Sequence, residues 1–322
     1  MNLRIYEAPE SIPEAPAGGR VVAIGVFDGV HRGHQRILRE AVERARLVDD
    51  SVVAAVTFRP HPEAVLRPER APRQLTALDR KAELMDALGV EELMVVRFDR
   101  AFADLSPADF CAQVLSRRLG ARLVLVGENF RFGHHAVGGP EDLRQYGREH
   151  GFETSTVPLS EEDGKTISST RIRGLIGSGH VAEATRLLGR PHRIEGVVVA
   201  GVGRGRTLSA PTANLAVEAE TALPRHGVYV TRSLLSGMGA YASVTSVGTN
   251  PTFEADGVVR IETLLLDYEG DIYGARMAVD FLEWIRGQQR FAGPDVLAER
   301  IRLDVEAARG FLSRRPDLLD SN

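Results

Sequence analysis

Short, continuous apolar runs alternate with amphipathic stretches through the first half of the chain. The run "VVAIGVF" at 21–27 is of the kind buried on both faces of a parallel sheet. After His34, residues Ile37, Leu38, Ala41, Val42 and Ala45 form a helical stripe. "SVVAAVTF", "EELMVVRF" and "ARLVLVG" repeat the strand pattern. Between them, "ALDRKAELMDALG" predicts a helix closed by Gly89. "LSPADFCAQVLSRRLG" predicts another, with Ser106 as N-cap, Pro107 at the first helical position and a stop at Gly120. This β–α rhythm predicts an α/β domain, a Rossmann-like parallel sheet covered by helices.

The rhythm changes near residue 188. "RLLGRPHRIEG" reads as a helix end followed by a Gly/Pro-marked crossing. Beyond it, "RIEGVVVAG", "GVYVTRSLL", "AYASVTSVG", "VVRIETLLLDY" and "ARMAVDFLEWI" are extended patterns with turns such as "ADG" and "YEGD". Together they predict about six strands, a number suited to a closed β-barrel. One long helix, Pro294–Leu312, follows. The expected domains are 1–187 and 188–322, and a chain of 322 residues is long enough for two cores.

Composition narrows the classes. With 43% hydrophobic and 26% charged residues and a net charge of −4, the chain has no global basic field to draw it to nucleic acid or an anionic membrane. Of its 40 basic residues all but Lys81 and Lys165 are arginine, and no P-loop motif occurs. The single cysteine, Cys111, rules out an internal disulfide and a cysteine-based zinc site, and reads as a small buried residue of a helix. The first residues carry no apolar signal core, and a reducing cytoplasm is the expected setting. Nothing in the chain speaks to oligomeric state.

The chemistry begins at "GVFDGVHRGHQRIL", 25–38. In an α/β sheet, ligands bind beyond the carboxyl ends of the strands, and this stretch is such an end: strand, glycine turn, helix start. Glycines there let the backbone approach a phosphate, and the helix N-terminus offers free N–H groups. His31 and His34 lie on one face of the first turn, where two imidazoles can donate to phosphate oxygens and stabilise a leaving group. Two other readings are a metal pair, which lacks a neighbouring carboxylate or thiol, and structural histidines beside a turn. Further on, Ser168, Ser169 and Thr170 of "ISSTRIR" can cap a helix and offer hydroxyls to phosphates, with Arg173 one turn later; a simple N-cap is the plainer alternative. Lys165 is a loop charge or a phosphate contact.

In the second half, Gly201, Gly203 and Gly205 with Arg204 and Arg206 form a basic loop suited to wrapping phosphates, or a solvated hairpin tip. In "PTAN", Thr212 and Asn214 point to the same side of an extended segment and are hard oxygen donors suited to Mg²⁺. Glu262 shares a strand face with Arg260, Leu264 and Leu266, as either an ion-pair partner of Arg260 or a positioned base.

These motifs resemble two known families. H-x-G-H after a first strand resembles the nucleotidylyltransferase superfamily. "GVFDGVHRGH", "TFRPHP", "VGENFRFG" and "ISSTRIR" are similar to its FMN adenylyltransferase (FAD synthetase) branch. "GRPHRIEGVVVAGVGRGR", "PTANL", "HGVYV", "SVGTNPTF", "IETLLLD" and "DIYG" resemble the riboflavin kinase domain. In that order they resemble the bacterial bifunctional riboflavin kinase/FMN adenylyltransferases over nearly the whole chain. The resemblance implies ATP-dependent phosphorylation of riboflavin to FMN in the barrel. It implies adenylylation of FMN by a second ATP to FAD, with release of pyrophosphate, in the first domain. Glu262 would take the proton of the ribityl 5′-hydroxyl, Thr212 and Asn214 would hold Mg²⁺, and Gly203, Arg204 and Gly205 would cover the nucleotide. In the first domain His31 and His34 would steady the phosphates and Gly25, Phe27, Asp28 and Gly29 would form the nucleotide turn. Asn129 would place ATP, and Ser168, Ser169, Thr170 and Arg173 would grip its phosphates. No nucleic-acid or membrane partner is implied.

The chain departs from the family pattern at Arg59 and Asn129, where acids are usual, at Thr166, where a basic residue is common, and at Ser209-Ala210, where Gly-Phe usually precedes P-T-A-N. The last leaves open a monofunctional adenylyltransferase with an impaired kinase. A non-catalytic flavin or nucleotide sensor is a further alternative, and a different nucleotidylyltransferase would leave the barrel unexplained.

Overall fold

The computed structural model describes residues 2–7, 11–199, 212–249 and 259–320. The chain divides into two compact units, 1–169 and 170–322.

The first unit contains β1 (Arg4–Tyr6), β2 (Arg20–Ile24), α1 (Arg32–Ala45), β3 (Val52–Arg59), α2 (Pro62–Leu66), α3 (Leu78–Asp86), β4 (Glu92–Arg97) and α4 (Arg100–Ala103). Next come α5 (Pro107–Asp109), β5 (Ala121–Gly127), α6 (Pro140–His150), β6 (Glu153–Val157) and the small antiparallel pair β7 (Glu161–Glu162) and β8 (Lys165–Thr166). Strands β1 to β6 form one parallel sheet in the order β1-β4-β3-β2-β5-β6. Successive residues of β2 face opposite sides: Val21 and Ala23 pack with Leu38 and Ala41 of α1 and Met85 of α3, while Val22 and Ile24 pack with Phe110, Leu115 and Leu143. Burial on both faces is why these strands read as unbroken apolar runs.

Ser106 caps α5 as expected, its hydroxyl accepting from the Asp109 N–H at 3.0 Å, and Pro107 is its first residue. The winding then becomes π-helical over Phe110–Arg118 and ends before Gly120, which takes φ +55°. Arg20, at the start of β2, is wholly buried. Its guanidinium bonds Glu92 at 2.6 Å and the carbonyls of Leu119 and Pro13 at 2.9 and 3.0 Å.

The second unit begins within α7 (Ser169–Ser178) and continues with α8 (Val181–Leu188). It then has β9 (His192–Val199), β10 (Thr212–Ala216), β11 (Gly227–Leu235), β12 (Gly239–Gly248), β13 (Arg260–Leu265) and β14 (Arg276–Gly287), followed by α9 (Pro294–Ser313) and α10 (Asp317–Asp320). The six strands close into an antiparallel barrel, β10-β13-β12-β11-β14-β9. Its interior holds Ile194, Ala213, Tyr229, Val247, Ile261 and Phe281, while α9 covers Val228, Val230 and Val244 on the outside with Ala308 and Leu312. Inside the barrel the buried hydroxyls of Thr231, Ser233, Ser243, Thr245 and Thr263 satisfy one another at 2.8–2.9 Å.

Candidate active sites

Strand order reverses between β2 and β5, so a crevice opens beyond their carboxyl ends. The end of β2 enters the turn Gly25–Val30. The strand stops at Ile24, short of the Phe27 expected from the apolar run, because the backbone here leaves the β region. Phe27 takes φ +52°, Gly29 +82° and Val30 +37°. A β-branched residue at positive φ is a strained conformation, held only where the surroundings over-determine it. Phe27, Asp28, Gly29, Val30 and His31 are all buried.

His31 is the N-cap of α1, and its Nδ1 accepts from the His34 N–H at 3.3 Å. With Nδ1 occupied as an acceptor, the neutral ring carries its proton on Nε2 and presents it as a donor. The two imidazoles stack with centroids 3.6 Å apart, and Phe27 meets His34 edge-on at 5.2 Å. Gly33 between them explains the spacing: a Cβ there would lie 3.2 Å from Cε1 and Nδ1 of His31, tighter than an ordinary contact. Asp28 accepts from the Leu75 N–H at 2.9 Å, and its carbonyl receives the Ser169 hydroxyl at 2.9 Å. Ser169 and the half-buried Ser168 thus lie at the H-x-G-H turn. Thr170, exposed, and Arg173, half-buried, follow on α7 in the second unit.

Asn129 stands just past the end of β5, exposed, with its Oδ1 3.2 Å from where a Cβ on Gly127 would be. A groove of ≈ 650 Å³ runs along α1, its wall of mixed charge, formed by Arg32, Arg36, Arg39, Glu40, Glu43 and Arg44 with Ser160, Glu161 and Ile167. Lys165 is exposed on β8. Lys81, which no motif singled out, is buried against the same turn: its Nζ donates to the Val26 carbonyl at 2.9 Å and to Thr57 Oγ1 at 3.2 Å. Burial lowers its pKa to about 8, with the Asp28 carboxylate opposing that shift and Arg59 adding to it.

On the barrel, Ala213 and Leu215 of β10 point inward, as do Ile261, Thr263 and Leu265 of β13. Thr212, Asn214 and Glu262 therefore share the outer face, each half-buried. The register pairs Asn214 directly with Glu262, and Thr212 with Leu264. Side chains so opposed start about 4.5–5.5 Å apart at Cβ. A pocket of ≈ 270 Å³ beside them is lined by Thr212 and by Gly270–Tyr273, which overlaps the "DIYG" stretch. Two neutral oxygen donors facing a carboxylate are a suitable partial ligand set for Mg²⁺, whose remaining positions would fall to phosphates and water. Among the described residues no group of three His, Cys, Asp or Glu side chains converges to hold a metal. Gly203, Arg204, Gly205 and the Ser209-Ala210 departure lie outside the described residues.

A family model described as FAD synthetase matches residues 14–171, and one described as riboflavin kinase matches 188–312. A Pseudomonas fluorescens bifunctional riboflavin kinase/FMN adenylyltransferase is 38% identical over 292 residues, 90% of this chain and 92% of its own. The chain belongs to the bifunctional riboflavin kinase/FMN adenylyltransferase family. The Escherichia coli K12 member is 36% identical over 309 residues, 96% of this chain and 98% of its own. A solved Streptococcus pneumoniae structure, described as a macrolide-efflux protein, shares 33% identity at a TM-score of 0.85, over 96% of this chain and 99% of that one. That description is of the streptococcal protein, and the likeness carries the fold of the family. Among the described residues no helix is long and apolar enough to cross a membrane. Of the sequence-singled residues, the structure brings Ser169 to the turn that carries His31 and His34, and sets Asn214 opposite Glu262 on the face with Thr212; Lys81, which sequence pattern did not single out, is buried against the first of these. Its partner is a backbone carbonyl 55 residues away, which no spacing rule encodes.

Proposed function

We propose that this chain makes FAD from riboflavin in two ATP-dependent steps. The riboflavin kinase domain, 188–322, phosphorylates riboflavin to FMN. The adenylyltransferase domain, 1–187, joins FMN to the adenylyl group of a second ATP and releases pyrophosphate. The observation that carries the kinase half is the direct pairing of Asn214 with Glu262 on the face that also bears Thr212.

In the kinase, the Glu262 carboxylate accepts the proton of the ribityl 5′-hydroxyl as its oxygen attacks the γ-phosphorus of ATP. Phosphoryl transfer has a loose transition state, so holding the hydroxyl in line does most of the work. Mg²⁺, held by Thr212 and Asn214, would neutralise phosphate charge. Gly203, Arg204 and Gly205 would close over the nucleotide.

In the adenylyltransferase, a phosphate oxygen of FMN attacks the α-phosphorus of ATP, and the bond to the β-phosphate oxygen breaks. A phosphate nucleophile needs no strong base. His31, through its Nε2–H, and His34 donate to the phosphates, and the first N–H groups of α1 add a partial positive charge. Gly25, Phe27, Asp28 and Gly29 shape the turn. Asn129 orients ATP, while Ser168, Ser169, Thr170 and Arg173 hold its leaving pyrophosphate.

The test is a time course of the purified chain with riboflavin, ATP and Mg²⁺, separating the flavins by chromatography. FMN should rise and give way to FAD. Glu262→Gln should lower FMN formation by about 10²–10⁴-fold while FAD formation from supplied FMN persists. No product from riboflavin, with FAD made from FMN, would instead support the monofunctional reading. No product from either substrate would overturn the enzyme reading.

A further inference from the structure

Two elements converge on one carbonyl of the H-x-G-H turn. Lys81 Nζ, from α3, reaches the Val26 carbonyl at 2.9 Å, and the Thr57 hydroxyl, from β3, donates to the same oxygen at 2.8 Å. Lys81 also donates to Thr57 Oγ1 at 3.2 Å, so the three groups form a closed triangle. Val26 immediately precedes Phe27, where φ turns positive. Side chains and a backbone N–H tie the strained turn along its length: Val26 O by Lys81 and Thr57, the Asp28 side chain by the Leu75 N–H, the Asp28 carbonyl by Ser169, and the Val30 carbonyl by Gln35 Nε2. One residue beyond the turn stands His31.

We propose that Lys81 is a positioning residue of the adenylyltransferase, holding the turn that places His31 and His34, and that its ammonium charge gives FAD formation, and not FMN formation, an alkaline limit. The inference rests on the adenylyltransferase reading of the H-x-G-H site.

The residue type supports a functional role. Apart from Lys165, every other basic position in the chain is arginine. At 81 a compact ammonium fits one carbonyl and one hydroxyl, where a planar guanidinium fork would not. Lys81 is only 8% exposed, and burying a charge costs stability that an apolar chain of similar length would not lose. The charged groups that act on it are Asp28, which favours the ammonium, and Arg59, which disfavours it. With burial added, the ammonium loses its proton near pH 8, inside the range open to assay. The neutral amine still donates, but its hydrogen bonds lose their charge assistance and Asp28 loses its counter-charge.

The experiment uses the full chain and measures kcat and KM for FMN to FAD and for riboflavin to FMN across pH, in the parent, Lys81→Met and Arg59→Gln. Lys81→Met should lower kcat for FAD formation by about 10- to 100-fold, leave FMN formation within about twofold, and abolish the alkaline limb. Arg59 is exposed, and its neutralisation should move the alkaline limb of FAD formation to higher pH. Should Lys81→Met unfold the first unit, seen as reaction of Cys111 with a thiol reagent, the shift in Arg59→Gln still decides. A folded Lys81→Met variant with parental kcat and limb, or an Arg59→Gln limb that does not move, overturns the proposal alone. A parent chain that makes no FAD from FMN overturns the adenylyltransferase reading and this proposal with it.

Discussion

Replacing Lys81 with methionine should change the pH dependence of stability in a direction that can be worked out beforehand. The Lys81 pKa falls from 10.5 to about 8 in the folded chain. Between those values the unfolded chain binds more protons than the folded one, so stability rises with pH. Below pH 8 the full cost of the buried ammonium is present, on the order of 3 kcal/mol at 1.36 kcal/mol per pKa unit. By linkage that cost falls by roughly 1 kcal/mol from pH 7 to pH 9, and by about 2–3 kcal/mol at pH 10. Cys111 works the other way. Burial, with Asp142 and Glu149 adding, raises its thiol from 9.0 to about 12, so above pH 9 the unfolded thiol ionises first and stability is lost as pH rises. The parent curve therefore shows Lys81 by itself only between about pH 8 and 9, and the two effects oppose each other beyond. Subtracting parent from Lys81→Met cancels the Cys111 effect. The stability advantage of the variant at pH 7 should shrink by about 2–3 kcal/mol at pH 10.

The chain carries its own probes: one cysteine, Cys111, buried in the first unit, and one tryptophan, Trp284, in the second. Urea unfolding read by quenched thiol labelling follows the first unit, and tryptophan fluorescence follows the second as an internal control. A parent–variant difference that stays constant within about 0.5 kcal/mol from pH 7 to 10 would refute the reasoning, because no charge would then be titrating at that site.

Other substitutions separate the two units in the same way. Glu92→Leu leaves the wholly buried Arg20 without its carboxylate, and should destabilise the first unit by about 3–5 kcal/mol by thiol labelling while leaving the Trp284 transition in place. Gly33→Ala presses a methyl against the His31 imidazole, and should lower FAD formation with FMN formation unchanged in the same time course. Gly227→Ala puts a Cβ 2.5 Å from the Trp284 ring and should shift Trp284 emission and destabilise the barrel by about 1–3 kcal/mol in urea, while Cys111 protection is retained.

The fold was legible wherever burial wrote itself into a run of apolar residues. β2 to β5 sit inside the sheet and were readable; β1 and β6 are its edges and were not. β1 is only "RIY", and β6 is the polar "ETSTV", whose strand character shows only once β5 pairs with it. The cap and stop around Pro107–Gly120 are local chemistry and were plain, whereas the π winding between them follows no local signal in the sequence. For the sites, alternation alone put Thr212 and Asn214 on one side of a strand. That Glu262 lies opposite Asn214 is a matter of register between distant segments, which residue types do not encode locally. Lys81 was invisible for a similar reason, since its ligands are a carbonyl and a hydroxyl brought to it by folding.

The two sites are also held in physically different ways. The kinase face depends on register: a slip of one residue in β13 would turn Glu262 into the barrel and Thr263 out of it. The hydroxyl ladder resists that slip, because Thr245 and Thr263 are register partners joined at 2.9 Å, and Thr245 is joined in turn to Thr231 at 2.8 Å. A slipped β13 would lose the Thr245–Thr263 bond, at about 0.5–1.5 kcal/mol, while the hydroxyls of β11 and β12 would keep one another. The turn that carries His31 and His34 has no ladder at Phe27 or Val30, where the backbone is at positive φ, and depends on side chains reaching in from α1, α3, β3 and the start of α7. A barrel site of the first kind fails with global unfolding of its sheet. A turn of the second kind is weakened when one tie is cut or one close approach is filled, which is why single substitutions at Lys81 or Gly33 should lower FAD formation in a chain that remains folded.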